Sequence, residues 1–236
     1  MRILVLDASP KKVSDTMRAT SMFIKGIEDL NQGDVIEVVK LINCEIKPCL
    51  GCFQCWKNMD GKCIQEDDQN TLLEKYVKAD IIIFSFPLYC YSMPSTLKAF
   101  FDRTIPLVKK SMSIENEGVR HDSLVDFSKK RSVVLCGCGF PQFEDNFIGL
   151  KCQLNMILHR YVGVFYSEAP LLNIKEAEAV ADPLLEKFYE AGKEFRDRLW
   201  LSEKTIQDLE APVIPMEKYV SYVNSYSIST ISLFIT

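Results

Sequence analysis

The segment Asp80-Ile81-Ile82-Ile83-Phe84-Ser85-Phe86-Pro87 constrains the fold more than any other stretch of the chain. Its apolar run has no polar alternation, so a strand here must be buried on both faces, as in the middle of a parallel sheet. Ile3 to Leu6 has the same character. Val35 to Leu41, Ser132 to Cys136 and Tyr161 to Tyr166 are further strand candidates. Between them lie segments with helical spacing. Ala19, Met22, Phe23, Gly26, Ile27 and Leu30 form the first, with Ser14 as N-cap, Asp15 in the first turn and Asn31-Gln32-Gly33 as its end. Asp67 and Asp68 lead into a helix through Leu72, Leu73, Tyr76 and Val77. Pro94 opens one with Leu97, Phe100 and Phe101. Phe147, Leu150, Leu154, Ile157 and Leu158 mark another, and Asp182-Pro183 starts a long one with Leu184, Leu185, Phe188, Phe195 and Leu199 inward. Strand and helix alternating five times is the pattern of a doubly wound α/β sheet.

Residues 111–129 read as a polar, irregular insertion. Residues 202–236 fall outside the alternation: Pro212 and Pro215 break them, and Tyr219, Tyr222, Tyr226 and Ile231-Ser232-Leu233-Phe234-Ile235 are rich in apolar surface. They are expected to pack on the body or on a second subunit. The division expected is therefore 1–201 and 202–236.

With 28 basic and 32 acidic residues the net charge is −4, which leaves no basic field for a phosphate backbone, so nucleic acid is excluded as a partner. No apolar run approaches the ~20 residues of a spanning helix. The N-terminus is too short in apolar residues and too soon acidic for a signal peptide, so a soluble, cytoplasmic protein is expected. Nine cysteines, an odd number, argue for reduced thiols or metal ligands rather than a disulfide framework. Cys44, Cys90, Cys136, Cys138 and Cys152 lie mostly in or beside apolar runs, where a buried free thiol is the default, with Cys90 and Cys138 as exceptions because their loops fall at the strand ends where a ligand binds. His121 reads as a surface residue of the insertion and His159 as a helix C-terminal residue.

Ligands of open α/β sheets bind beyond the carboxyl ends of the strands. Three loops fall there. The first holds Ser9, Lys11, Ser14 and Thr16 at a helix start, the parts of a phosphate site, although a plain capped loop would carry the same residues. It has neither a Walker pattern nor G-x-G-x-x-G, which disfavours a nucleoside triphosphate or an ordinary Rossmann dinucleotide. The second, Pro87-Leu88-Tyr89-Cys90-Tyr91-Ser92-Met93, is aromatic enough to cover a flat ring system or simply to pack on a helix. The third, Gly137-Cys138-Gly139-Phe140, allows close backbone approach, as would an ordinary turn.

To about residue 200 the chain resembles the NADPH-dependent FMN reductases of the flavodoxin-like superfamily. The resemblance is carried by Ser9-Pro10-Lys11 running to Asp15-Thr16, by Pro87-Leu88-Tyr89, by Met93-Pro94, and by Leu97-Lys98-Ala99-Phe100-Phe101-Asp102-Arg103. It implies a three-layer sandwich around a five-stranded parallel sheet in the order 2-1-3-4-5. It also implies non-covalent FMN, with Ser9, Lys11, Ser14 and Thr16 at the phosphate. Pro87, Leu88, Tyr89, Cys90, Tyr91 and Ser92 would border the ring, with Gly137, Cys138 and Gly139 opposite. NAD(P)H would be the electron donor, a small molecule the acceptor, and a homodimer or higher homo-oligomer the assembly. No catalytic side chain is expected, because the flavin carries the redox chemistry. The family usually has Asn where Asp15 stands; a carboxylate beside a phosphate repels it unless it turns away or pairs with Lys11.

Cys49-x2-Cys52-x2-Cys55-x7-Cys63 is the sharpest short pattern. It resembles the compact motif of the iron–sulfur flavoproteins, which would make the four thiolates ligands of a [4Fe–4S] cluster and the protein an electron carrier for a ferredoxin-like partner. A packed loop or an oxidant-sensitive thiol set are the other readings.

Overall fold

The computed structural model describes residues 1–58, 61–115, 118–140, 145–158, 160–167, 172 and 178–225. The chain runs β1 (Arg2–Asp7), α1 (Asp15–Leu30), β2 (Val35–Lys40), the short α2 (Cys55–Asn58), α3 (Gln69–Lys78), β3 (Ile81–Pro87) and α4 (Ser95–Asp102). It continues with β4 (Val108–Glu115), β5 (Gly118–Ser123), β6 (Arg131–Cys138), α5 (Ile148–Ile157), β7 (Tyr161–Ser167), α6 (Glu178–Arg198), α7 (Glu203–Glu210) and α8 (Met216–Ser225).

Five strands make one parallel sheet in the order β2-β1-β3-β6-β7. Chain numbering therefore departs from the expected 2-1-3-4-5. The cause lies in residues 111–129, which are not irregular: β4 and β5 pair there as a separate antiparallel ribbon. Met112 and Ile114 lie opposite His121 and Val119 on one face of it, while Ser113 lies opposite Arg120 on the other. The ribbon is polar because it stands apart from the main sheet, so its period of two carries little hydrophobic contrast.

The unbroken apolar runs are explained by burial on both faces of the sheet. Ile3, Val5, Ile81, Ile83, Val133, Leu135, Val162 and Val164 pack against Ala19, Phe23 and Ile27 of α1 and Leu184, Phe188 and Phe195 of α6. The alternate residues Leu4, Leu6, Ile82, Phe84, Val134 and Cys136 pack against Leu72 and Leu73 of α3, Leu97 and Phe100 of α4, and Leu150 and Leu154 of α5. The result is three layers, each fully buried aliphatic side chain contributing about 1.5–3 kcal/mol. α1 and α6 touch backbone to backbone: a Cβ on Gly26 would lie 2.0 Å from the Tyr189 carbonyl oxygen, and one on Gly192 2.0 Å from that of Phe23.

Ser14 caps α1, accepting the Met17 N–H at 3.1 Å. The long helix begins earlier than Asp182-Pro183 suggests. Glu178 starts it, and Pro183 lies inside. A proline there forfeits the bond to the Ala179 carbonyl and crowds that carbonyl, while Ala181 beside it has no solvent exposure and keeps the turn packed. Beyond residue 201, Leu209 of α7 is buried, and the Glu210 carboxylate accepts the Phe165 N–H at 2.9 Å. Burial holds the Glu210 carboxyl above its ordinary value despite that bond and the nearby Lys151. Residues 231–235 and His159 lie outside the described residues. Among the described residues no helix is long and apolar enough to cross a membrane.

Candidate functional site

Parallel pairing carries the three loops to one edge of the sheet. Past the end of β1 the Ala8 N–H donates to the Ser85 carbonyl at 2.9 Å, and past β3 the Leu88 N–H donates to the Gly137 carbonyl at 2.7 Å. Between them lies a crevice of about 160 Å³. Ser9, Lys11, Ser14, Asp15 and Thr16 line one end, and Pro87, Leu88, Tyr89, Gly137 and Gly139 line the rest. A larger hollow of about 530 Å³ lies between α6 and α7, away from the strand ends, and is lined largely by charged side chains such as Lys187, Glu190 and Asp197.

The first loop is internally braced. The Ser9 N–H donates to Asp7 Oδ1 at 2.9 Å, and the Lys11 N–H reaches Ser9 Oγ at 3.4 Å. Asp7 is buried, and burial pushes its carboxyl above the ordinary value even though the Ser9 N–H and Lys40 pull the other way. Lys11 Nζ lies 3.8 Å from Asp15 Oδ2, so the carboxylate that replaces the usual Asn has a cationic neighbour. The start of α1 supplies backbone N–H groups and the positive end of a helix dipole. Lys40, which spacing gave no reason to select, donates from Nζ to the Lys11 carbonyl and adds a second cation behind the loop.

The second loop ends in a tight turn. Tyr89 and Ser92 exchange backbone hydrogen bonds, both 3.0 Å. Cys90 and Tyr91 between them take positive φ, 48° and 60°. That is the two-residue turn otherwise favoured for Asn-Gly. Ser92 Oγ donates to Gln153 Oε1 at 3.1 Å, tying the turn to α5. Of this loop Pro87, Leu88 and Tyr89 line the crevice, while Cys90 and Tyr91 at the turn are exposed. In the third loop a Cβ on Gly139 would meet nothing within 4 Å, so the loop is open on that side. Cys138 is buried, and its sulfur accepts the Phe140 N–H at 3.4 Å and lies 3.8 Å from Asn146 Nδ2. Behind the site Thr20 Oγ1 and Ser85 Oγ, both fully buried, hydrogen bond at 2.8 Å.

The cysteine loop is a separate structure. Cys49 and Cys52 are exposed, Cys55 and Cys63 half-buried, and all nine thiols of the chain are free. Cys90 is exposed, and so is Cys152, contrary to the default of burial for the latter. Cys63 is pinned to α3 by reciprocal bonds with Asn70, 2.8 and 2.9 Å. Burial would raise the Cys63 thiol, but the Gln65 N–H and the Arg103 guanidinium overcome it and hold the thiol below its ordinary value. Cys55 is held above its ordinary value, by burial first and then by the negative charge of Cys63 and Cys52. Cys52, Cys55 and Cys63 are thus electrostatic neighbours. Among the described residues, however, no group of three or more His, Cys, Asp or Glu side chains converges on a point that could hold a metal ion. The donor chemistry suits a soft metal; the arrangement does not. Trp56, next to Cys55, stacks on Phe53 at 4.8 Å and lies 5.0 Å from the His121 ring. His121 is therefore half-buried against the cysteine loop, not a free surface residue.

Sequence spacing also missed Arg103 with Asp67, a buried ion pair behind this loop, and Tyr219 of α8, whose O–H donates to the Gly139 carbonyl. Each joins residues far apart in the chain, which no local pattern records.

The chain is similar to an iron–sulfur flavoprotein of Methanosarcina thermophila, 30% identical over 117 residues, which is 50% of this chain and 59% of that protein. It is also similar to an FMN-dependent NADH:quinone oxidoreductase of Trichormus variabilis, 34% identical over 65 residues, 28% of this chain and 30% of the other. The matches thus span only about half, or less, of these curated relatives. Among solved structures, an FMN-dependent NADH-azoreductase of Bacillus anthracis in complex with FMN superposes with a TM-score of 0.59 at 18% identity, covering 84% of this chain and 98% of that one. Residues 1–189 match the model of the family described as having the flavodoxin-like fold, and the chain belongs to that family.

Proposed function

We propose that this protein is an FMN-dependent oxidoreductase that takes electrons from NAD(P)H and delivers them to a small acceptor of the quinone, nitro, azo or free-flavin type. One observation carries this reading: a single crevice joins a helix start bearing Lys11 and the hydroxyls of Ser9, Ser14 and Thr16 to an apolar, glycine-walled slot at the ends of β1, β3 and β6. The residues present fit FMN. Ser9, Lys11, Ser14, Thr16 and the first N–H groups of α1 would hold the phosphate; Pro87, Leu88 and Tyr89 would border one side of the ring and Gly137 and Gly139 the other. Bound there, FMN supplies hydride acceptance and one- or two-electron delivery. The chain's part is to fix the phosphate, keep one ring face open to nicotinamide and acceptor, and present backbone N–H groups at the ring edge. The names of the similar proteins support the reading.

The body, residues 1–201, would carry the cofactor, with 202–236 as an extension. A homodimer accords with the exposed apolar face of the ribbon, where Met112, Ile114 and Val119 are 61%, 82% and 67% exposed; light scattering tests it. A cytoplasmic setting accords with nine free thiols.

The test is the absorption spectrum of the purified protein and its steady-state oxidation of NADH and NADPH with 2-methyl-1,4-naphthoquinone. A yellow protein that turns over with either nucleotide is expected. A colourless protein that does not take up FMN overturns the reading. The second reading, an iron–sulfur electron carrier, is favoured by the similarity to the Methanosarcina protein and by the Cys49-x2-Cys52-x2-Cys55-x7-Cys63 spacing. It predicts about four iron atoms and four sulfides per chain after anaerobic purification, with reduction by ferredoxin and not by nicotinamide.

A further inference from the structure

The family match ends at residue 189, yet the crevice has a neighbour from beyond that point. α7 is docked on β7 by Glu210 and Leu209. Pro212 and Pro215 then turn the chain, and α8 starts directly after Pro215, whose carbonyl accepts the Tyr219 N–H at 3.0 Å. This path brings α8 to the carboxyl ends of the strands, where the Tyr219 O–H donates to the carbonyl of Gly139, a lining residue of the crevice. Burial and then the charge of Cys138 raise the Tyr219 phenol above its ordinary value.

The surroundings of that contact are apolar and exposed. Met216 lies one helical turn before Tyr219 and is 47% exposed. Tyr89 and Phe140, on the second and third loops, are 43% and 56% exposed. Exposed apolar side chains gathered at the mouth of a pocket mark a surface that a ligand covers. These side chains bear no formal charge, so a neutral, flat, aromatic molecule complements them better than an anion.

We propose that α8 is the acceptor-side wall of the crevice and that Tyr219 is the positioning residue fastening it to the third loop, so that a neutral, flat aromatic acceptor seats against it. This rests on the FMN reading and adds to it the residue that positions the acceptor. The test uses the full-length protein loaded with FMN and the variants Tyr219→Phe and Tyr219→Ala. FMN affinity is followed by flavin fluorescence, and turnover is measured with 2-methyl-1,4-naphthoquinone and with ferricyanide, which has no ring to stack. Tyr219→Ala is expected to raise KM for the quinone about tenfold, with its kcat, the ferricyanide KM and the FMN Kd all within about twofold. Tyr219→Phe keeps the ring but loses the tether, and is expected to raise the quinone KM about threefold. Equal effects on both acceptors and on FMN affinity would show a merely structural tie and overturn the proposal, as would no effect in either variant. Wild-type protein that neither binds FMN nor turns over overturns the underlying function as well; wild-type turnover with unaltered variants removes only the role of α8.

Discussion

Arg103 and Asp67 form an ion pair in which neither side chain has solvent exposure, joining the end of α4 to the start of α3. Arg103 donates to both carboxylate oxygens, one bond measuring 2.9 Å, and to the Lys47 carbonyl at 3.1 Å. Gln69, also buried, donates to the carbonyls of Phe100 and Arg103 beside it. Removing one member of such a pair strands a buried charge. Arg103→Leu should therefore cost about 3–5 kcal/mol in urea unfolding at pH 7. Burial pushes the Asp67 carboxyl up, but Arg103 and the N–H groups of Lys47 and Gln69 bring it below its ordinary 3.8. A carboxyl depressed in the folded state stabilises fully above the unfolded value and ceases to as the pH falls through the folded one. In the variant the lone carboxyl is raised instead, so acid relieves it. The gap between wild type and variant should narrow from pH 7 to pH 3. A constant gap would contradict this account of the pair.

The turn at Cys90 and Tyr91 places two side chains where only Gly and Asn sit without strain. Left-handed backbone costs other residues about 1–2 kcal/mol each. Replacing the pair, Cys90→Asn with Tyr91→Gly, should raise the unfolding free energy by about 1–2 kcal/mol, because Asn-Gly is the favoured sequence for this turn. A lower urea midpoint would mean that the Tyr91 ring contributes packing that the turn geometry does not reveal.

The sheet was legible because each central strand is buried on both faces and so writes an unbroken apolar run; Ile81 to Phe86 is the extreme case. The ribbon was not. Its apolar positions, Met112, Ile114 and Val119, are few and solvent-facing, and they alternate with Ser113 and Arg120. The first loop was legible from its cap and hydroxyls, since Ser14 acts within three residues of itself. What reinforces it was not, because Lys40 reaches the Lys11 carbonyl from the end of β2 and Thr20 of α1 meets Ser85 of β3. Such pairings are set by the register of packed elements. Spacing along the chain says nothing about them.

Gly26 and Gly192 reverse the usual rule for glycine in a helix. Alanine at an exposed helix interior position is favoured over glycine by about 1 kcal/mol. At these two positions the new methyl group would lie 2.0 Å from a backbone carbonyl oxygen of the facing helix, which cannot swing aside as a side chain can. α1 and α6 would have to separate, disturbing the contact between Phe23 and Phe195, whose ring centroids are 5.6 Å apart. Each Gly→Ala change should thus lose about 1–3 kcal/mol net despite the gain in propensity. Thermal melts of the two single variants measure it; a rise in either midpoint would show that the helices can part freely.

Asp15 is where the crevice departs most from what a phosphate prefers. It stands in the first turn of α1, where a carboxylate offsets the helix dipole, and it shares Lys11 at 3.8 Å. A bound phosphate dianion competes for both. Asp15→Asn keeps the shape, removes one negative charge and frees Lys11. FMN should then bind about five- to tenfold more tightly, as expected for one nearby charge in a partly screened setting. The apo protein should lose about 0.3–1 kcal/mol, the ordinary worth of an acidic residue at a helix start. Riboflavin, which has the ring but no phosphate, separates this cause from a general opening of the slot, and its affinity should be the same in wild type and variant. Equal tightening of riboflavin and FMN would place the effect on the ring walls, and weaker FMN binding would mean that Asp15 orders the loop more than it repels the ligand.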